Sequence, residues 1–76
     1  MVTLKDIASA HDRIREFIHR TPVLTNKSLN ELTGAELFFK CDNFQKAGSF
    51  KIRGATNTVE LLSQTEMDNG IATTSS

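Results

Sequence analysis

The sequence predicts an α/β fold, and within that class the opening segment of a larger domain. Three observations carry this. Leu4, Ile7, His11, Ile14 and Ile18 recur at alternating spacings of three and four, the period of an amphipathic helix. Leu37-Phe38-Phe39 leaves no polar face, as in a strand covered on both sides. From Leu37 onward the order reads strand, helix, strand, a βαβ unit of the kind found in parallel sheets with helices on both faces. One such unit cannot cover both faces of its own strands. Residues 1–76 are therefore expected to form a single incomplete domain, the N-terminal portion of a larger one.

The elements follow in order. Thr3-Leu4-Lys5-Asp6 reads as a capping box at the start of the first helix. His11 sits on its apolar stripe and is expected to be a packed, hydrogen-bonded histidine, while His19 and Arg20 suit the last turn. Thr21-Pro22 stops the helix, because a residue before proline avoids the helical region. Val23-Leu24-Thr25 is an extended piece. Asn26 to Thr33 forms a second, short helix with Gly34 at its C-terminal cap. Ala35 to Cys41 reads as the two-sided strand and Asp42 to Gly48 as a loop. Ser49 caps a third helix, whose buried stripe is Ile52, Ala55, Val59 and Leu62. Asn69-Gly70 marks a turn, and Ile71 to Thr74 reads as another strand.

Composition bounds the function. Nine basic and nine acidic side chains give a formal charge of zero, so neither nucleic acid nor an anionic membrane is expected as a partner. No apolar run approaches the roughly 20 residues of a membrane-spanning helix. The N-terminal stretch Met1 to Asp6 lacks the layout of a signal peptide. Cys41 is the single cysteine, so no internal disulfide forms and a cytoplasmic setting is expected. No His/Cys group has zinc spacing, and no metal is expected. A chain of 76 residues buries only about 60% of its surface, which again suggests a piece of something larger.

The stretch that carries chemistry is Lys46-Ala47-Gly48-Ser49-Phe50-Lys51-Ile52-Arg53-Gly54-Ala55. Lys51 falls in the first turn of the third helix, after a glycine-containing loop, where backbone N–H groups and the helix dipole make a positive region. Flanked by Phe50 and Ile52, its ammonium form is expected to be disfavoured by burial. A partly neutral lysine is a nucleophile that condenses with an aldehyde, and Phe50 could pack on a flat ring. Two other readings stand beside this one. Lys51 could be an ordinary solvated lysine at a helix start, which composition alone favours. The loop could bind phosphate, although it lacks the G-x-x-x-x-G-K-[ST] pattern of a nucleotide loop.

Phe39 to Ala55, with Ser49-Phe50-Lys51-Ile52-Arg53-Gly54-Ala55 at its centre, closely resembles the cofactor-attachment segment of the serine/threonine dehydratase and serine racemase family. His19-Arg20-Thr21-Pro22-Val23-Leu24 resembles the family's H-x-T-P segment, and Leu32-Thr33-Gly34-Ala35-Glu36-Leu37-Phe38-Phe39-Lys40 its T-G-containing strand. The resemblance implies a tryptophan-synthase-like (fold type II) pyridoxal phosphate enzyme, of which residues 1–76 are the N-terminal portion of the catalytic domain. It implies pyridoxal 5'-phosphate on Lys51, with Phe50 walling the ring and Gly48 and Gly54 allowing close approach of cofactor and backbone. It implies a lyase or isomerase acting on serine, threonine or a related β-hydroxy amino acid, and a homodimeric parent. Lys51 would serve one face of the substrate carbanion. Ser76, whose matching position is a serine in the racemases, would be the second proton donor. Dehydratase and racemase both remain open, and a non-catalytic interaction fragment is the rival reading. The isolated chain is expected to be inactive, because the asparagine loop and glycine-rich phosphate loop of the family lie outside it.

The remaining polar residues read more plainly. Arg53 is expected to form an ion pair or serve as a helix cap. Asn43 and Gln45 are expected to be loop polarity, and Cys41 a small core residue.

Overall fold

A computed structural model of the chain describes residues 1–74. Ser76, the expected second proton donor, lies outside them. Helix α1 spans Leu4–Ile14 and opens with the expected box. The Thr3 hydroxyl accepts the Asp6 N–H at 3.2 Å, and the Asp6 carboxylate accepts the Thr3 N–H at 2.9 Å. The helix ends four residues before the expected Ile18. The His19 N–H and C=O are both taken by a side chain from the distant loop, so they are not available to a helical ladder. His19 and Arg20 therefore do not serve the helix terminus; His11 and Arg13 occupy its last turn. His11 is exposed, not packed, because the buried edge of α1 turns on Ile14.

Strand β1 (Val23–Leu24) pairs antiparallel with β2 (Phe39–Lys40), in register Val23 to Lys40 and Leu24 to Phe39. Between them runs α2 (Lys27–Thr33). Its Asn26 cap accepts the Leu29 N–H, and Gly34 closes it in the left-handed conformation at φ 71°. The expected strand over Ala35–Cys41 is thus shortened to two residues. Leu37 gives its N–H to the Asn30 side chain at 2.9 Å and not to a neighbouring strand.

Two 3₁₀ turns, Asp42–Phe44 and Lys46–Gly48, connect β2 to α3 (Lys51–Glu60). Ser49 has the extended backbone of a cap, and its hydroxyl accepts the Lys51 N–H at 3.4 Å, a long bond. Helix α3 packs across α1, where Arg13 donates to the Asn57 side chain at 2.5 Å. A further helix, α4 (Gln64–Asn69), goes beyond the sequence reading. Ser63 and Glu66 form a second capping box, an S-x-x-E signature overshadowed by the Asn69-Gly70 turn signal. Among the described residues, 71–74 form no strand, so the parallel partner of the βαβ unit is not in place. Parallel strands are stable when flanked on both sides, and here β2 has only β1 beside it.

The hydrophobic core is small. Ile14, at 5% exposure, is the one buried apolar residue among those described. All five phenylalanines, Phe17, Phe38, Phe39, Phe44 and Phe50, are exposed. The radius of gyration is 16.4 Å, against roughly 11 Å for a compact chain of this length. The accessible surface is 6506 Å², against roughly 4,600 Å² for a folded monomer of this mass. Aromatic side chains of this size are normally covered by packing. No helix among the described residues is long and apolar enough to cross a membrane.

Candidate functional site

The loop from Cys41 to Phe50 delivers Lys51 to the first turn of α3, as the sequence predicts. Its second 3₁₀ turn holds Ala47 at φ 66° and Gly48 at φ 72°, both left-handed, so the chain reverses sharply just before the helix. This conformation is what glycine serves at position 48.

The expected burial of Lys51 is not present in these residues, and its side chain is exposed. The reason is helical geometry: adjacent residues point about 100° apart, so Phe50 and Ile52 do not cover Lys51. Phe50 is 68% exposed, whereas Ile52 turns inward. Residues three and four positions on share the face of Lys51, and these are Gly54 and Ala55. Ala55 therefore leaves the expected buried stripe and is exposed, while Ile52, Val59 and Leu62 are half-buried. A Cβ built on Gly54 would meet nothing within 4 Å. A primary amine thus shares a helix face with Gly54 and Ala55, and the exposed Phe50 ring adjoins it in sequence. This donor set fits a flat ring carrying an aldehyde.

Two hydrogen-bonded clusters lie on either side of Lys51. On the N-terminal side, Gln45 is buried at 4% exposure. Its Oε1 accepts the N–H groups of His19, at 2.8 Å, and Lys46, at 2.9 Å, and its Nε2 donates to the His19 carbonyl at 2.7 Å. Gln45 is therefore no mere loop polarity, and nothing in a polar stretch such as Asp42-Asn43-Phe44-Gln45 sets it apart from Asn43.

On the C-terminal side, Arg53 grips Asp42 with Nε at 2.7 Å and Nη2 at 2.9 Å, and Nη2 also reaches the Thr21 hydroxyl at 3.3 Å. Thr21, also 4% exposed, donates its hydroxyl to Asp42 at 2.6 Å. The Lys40 ammonium caps the Thr21 carbonyl at 2.8 Å. The Arg53 guanidinium, helped by the Thr21 hydroxyl, holds the Asp42 carboxyl far below the usual carboxylate range. The ion pair expected of Arg53 is present, and Asp42 is the partner the sequence did not name.

A concavity of about 780 Å³ is lined by His11, Arg15, Glu16, Lys40 and Arg53 among others, drawn from α1, the turn after it, β2 and α3; Lys51 does not line it. No group of three metal-ligating side chains occurs among the described residues.

The chain belongs to the pyridoxal-phosphate dependent enzyme family, whose sequence model matches residues 14–76. It is 59% identical over 75 residues to a serine racemase of Dictyostelium discoideum, covering 99% of this chain and 23% of that protein. It is 55% identical over 74 residues to a beta-hydroxyaspartate dehydratase of Paracoccus denitrificans, covering 97% of this chain and 24% of that one. Among solved structures, maize serine racemase superposes on 88% of this chain and 21% of its own, with a TM-score of 0.81 at 45% identity. A threonine deaminase of T.th. superposes on 83% of this chain and 21% of its own, with a TM-score of 0.74 at 41% identity. The fold is accordingly that of the fold type II enzymes, represented by an N-terminal segment. The chain spans about a quarter of the length of the curated relatives it matches.

Proposed function

We propose that this chain is the N-terminal part of a pyridoxal phosphate-dependent serine racemase or serine/threonine dehydratase, with Lys51 as the attachment site. The observation that carries the reading is the placement of the Lys51 amine in the first turn of α3, on one face with Gly54 and Ala55 and beside exposed Phe50. The family match spans the same residues. When bound, the cofactor supplies an electron-withdrawing ring that stabilises negative charge at the substrate's α-carbon. This chain's own residues do the rest of what falls to it. The Lys51 Nζ would hold the cofactor and, once the substrate's own amine has taken its place and freed it, would take the α-proton as general base on one face. Phe50 shields the ring from water. Ser76 supplies a proton on the opposite face, which racemisation requires and elimination of a β-hydroxyl does not. Substrates are small amino acids of the serine and threonine type, and the parent is a homodimer. Residues 1–76 by themselves are inactive.

The test uses the full-length parent incubated with pyridoxal phosphate, reduced with borohydride and mapped by peptide mass. The label is expected on Lys51 and absent in Lys51→Ala. Labelling elsewhere, or none in the wild type, would remove the assignment. In the same parent, Ser76→Ala should lower racemisation by about 10²–10⁴-fold, the usual span for an acid–base group, with a much smaller fall in elimination. Equal falls would exclude Ser76 as the second base.

A further inference from the structure

The two clusters that flank Lys51 end two residues apart on one short strip, one on His19 and the other on Thr21. Gln45, six positions before Lys51, holds the backbone N–H and C=O of His19. Arg53, two positions after it, reaches the hydroxyl of Thr21 directly and again through Asp42. Thr21 and Gln45 are the two buried polar residues among those described. Polar groups are costly to bury unless fully bonded, and satisfied networks of this kind specify one geometry.

We propose that the strip His19–Thr21 is the positioning element for Lys51, with Gln45 and Arg53 as positioning residues, one on each flank. The proposal rests on the cofactor reading above. A loop with two left-handed residues in succession, followed by a helix cap of 3.4 Å, has little of its own to fix where α3 begins. Gln45 supplies that constraint upstream. It bridges His19 to the Lys46 N–H, and its own carbonyl accepts the Gly48 N–H at 2.8 Å. Arg53 supplies it downstream, because its planar fork fixes the rotation of the first helical turn about the axis. Because both grips share one strip, releasing one lets the strip shift and weakens the other. Sites coupled through a common backbone shift depart from additivity, and these two should do so although they hold different residues of the strip.

The experiment takes the full-length parent as wild type, Gln45→Ala, Arg53→Met, the double variant, and the pair Thr21→Val and Thr21→Ser. Three quantities are read: amide exchange of residues 46–53 in the cofactor-free protein, the release rate of pyridoxal phosphate from Lys51, and kcat separately from KM. Each single variant is expected to speed exchange at 46–53 at least tenfold while α2 amides stay unchanged. Each should also hasten cofactor release and lower kcat ten- to hundredfold, since small misplacements of a reacting group cost that much, with KM within about twofold. The double variant should fall at least threefold less than the product of the singles. Thr21→Val should follow the singles, and Thr21→Ser, which keeps the hydroxyl, should match the wild type. If Gln45→Ala or Arg53→Met does not fold, the threonine pair decides by the same readouts. Uniform exchange across α2 and 46–53, an unmoved kcat, or strict multiplicativity would overturn the proposal. If wild-type Lys51 takes no cofactor, the functional reading falls, whereas the exchange arm still decides the clamp.

Discussion

Asp42 and Arg53 meet in a two-pronged ion pair, Nε to Oδ2 at 2.7 Å and Nη2 to Oδ1 at 2.9 Å, that ties the loop after β2 to the first turns of α3. Arg53 is the main cause of the depressed Asp42 pKa, with the Thr21 hydroxyl second. An acid depressed by folding stabilises the fold fully above its unfolded pKa, about 3.9 for aspartate, and loses that contribution as pH falls through the lower folded value. The difference in Tm between the wild-type parent and Asp42→Asn should therefore be widest near neutral pH and narrow steadily below about pH 4. Asp6 and Glu66 are also depressed, by their cap bonds, but they are common to both proteins and cancel in the difference. A gap that is the same at pH 3 and pH 7 would show that the pair adds no pH-dependent stability.

What was legible in the sequence was local. The Thr3 box, the Asn26 cap, the Gly34 stop and the arrival of Lys51 at a helix start all depend on a few adjacent residues, and the structure has each of them. What was not legible depends on distant partners. The helix period runs through Ile18, yet α1 ends at Ile14, where the Phe17 N–H turns to the Ile14 carbonyl three residues back, and Gln45 holds the His19 backbone from 26 residues away. The sequence neighbours of Lys51 are apolar, but on a helix those neighbours face elsewhere and leave it uncovered. Burial at position 51 would have to come from beyond residues 1–74. The two-sided pattern of Leu37-Phe38-Phe39 likewise asks for covering elements that these residues do not contain, and Phe38 is 67% exposed.

Ala47 and Gly48 give a paired test of the reversal before α3. Both have positive φ, 66° and 72°. A side chain in that region costs about 1–2 kcal/mol, partly offset by the extra chain entropy that glycine loses on folding, roughly 0.5–1 kcal/mol. Ala47→Gly should leave the parent as stable or raise its stability by up to about 1 kcal/mol. Gly48→Ala should lower it by up to about 1 kcal/mol, although a Cβ there meets nothing within 4 Å. Chemical denaturation of the two variants measures both. Destabilisation by Ala47→Gly would mean that position 47 is not left-handed in solution.

The second capping box makes a prediction of its own. Helix α4 has only six residues and no buried side chain, so its start depends on the Ser63 hydroxyl and the Glu66 carboxylate. Ser63→Ala should cost about 0.5–2 kcal/mol of local helix stability. The effect should appear as faster amide exchange over residues 66–69, with α1 unaffected. Ser63→Asp should restore the protection, because an aspartate oxygen accepts the same N–H. Exchange that is indifferent to all three residues at position 63 would show that α4 is held by something other than its cap.

The 76-residue chain on its own should behave as an associating, weakly ordered species. Its single buried apolar residue among those described, Ile14, cannot offset the conformational entropy of ordering a chain of this length, roughly 1–2 kcal/mol per residue for the backbone alone. Its five phenylalanines are each exposed, and self-association would cover part of that apolar area. α1 and α3 are nevertheless tied by Arg13 to Asn57, and the strip His19–Thr21 by its two clusters, so some protection should survive there. Sedimentation should show mass rising with concentration, and heating should give a broad loss of helical signal in place of a sharp transition. Amide exchange should leave residual protection around Ile14, Thr21 and Gln45 and little in α2 or α4. A concentration-independent monomer with one cooperative transition would show instead that the two hydrogen-bonded clusters suffice to hold this chain without a conventional core.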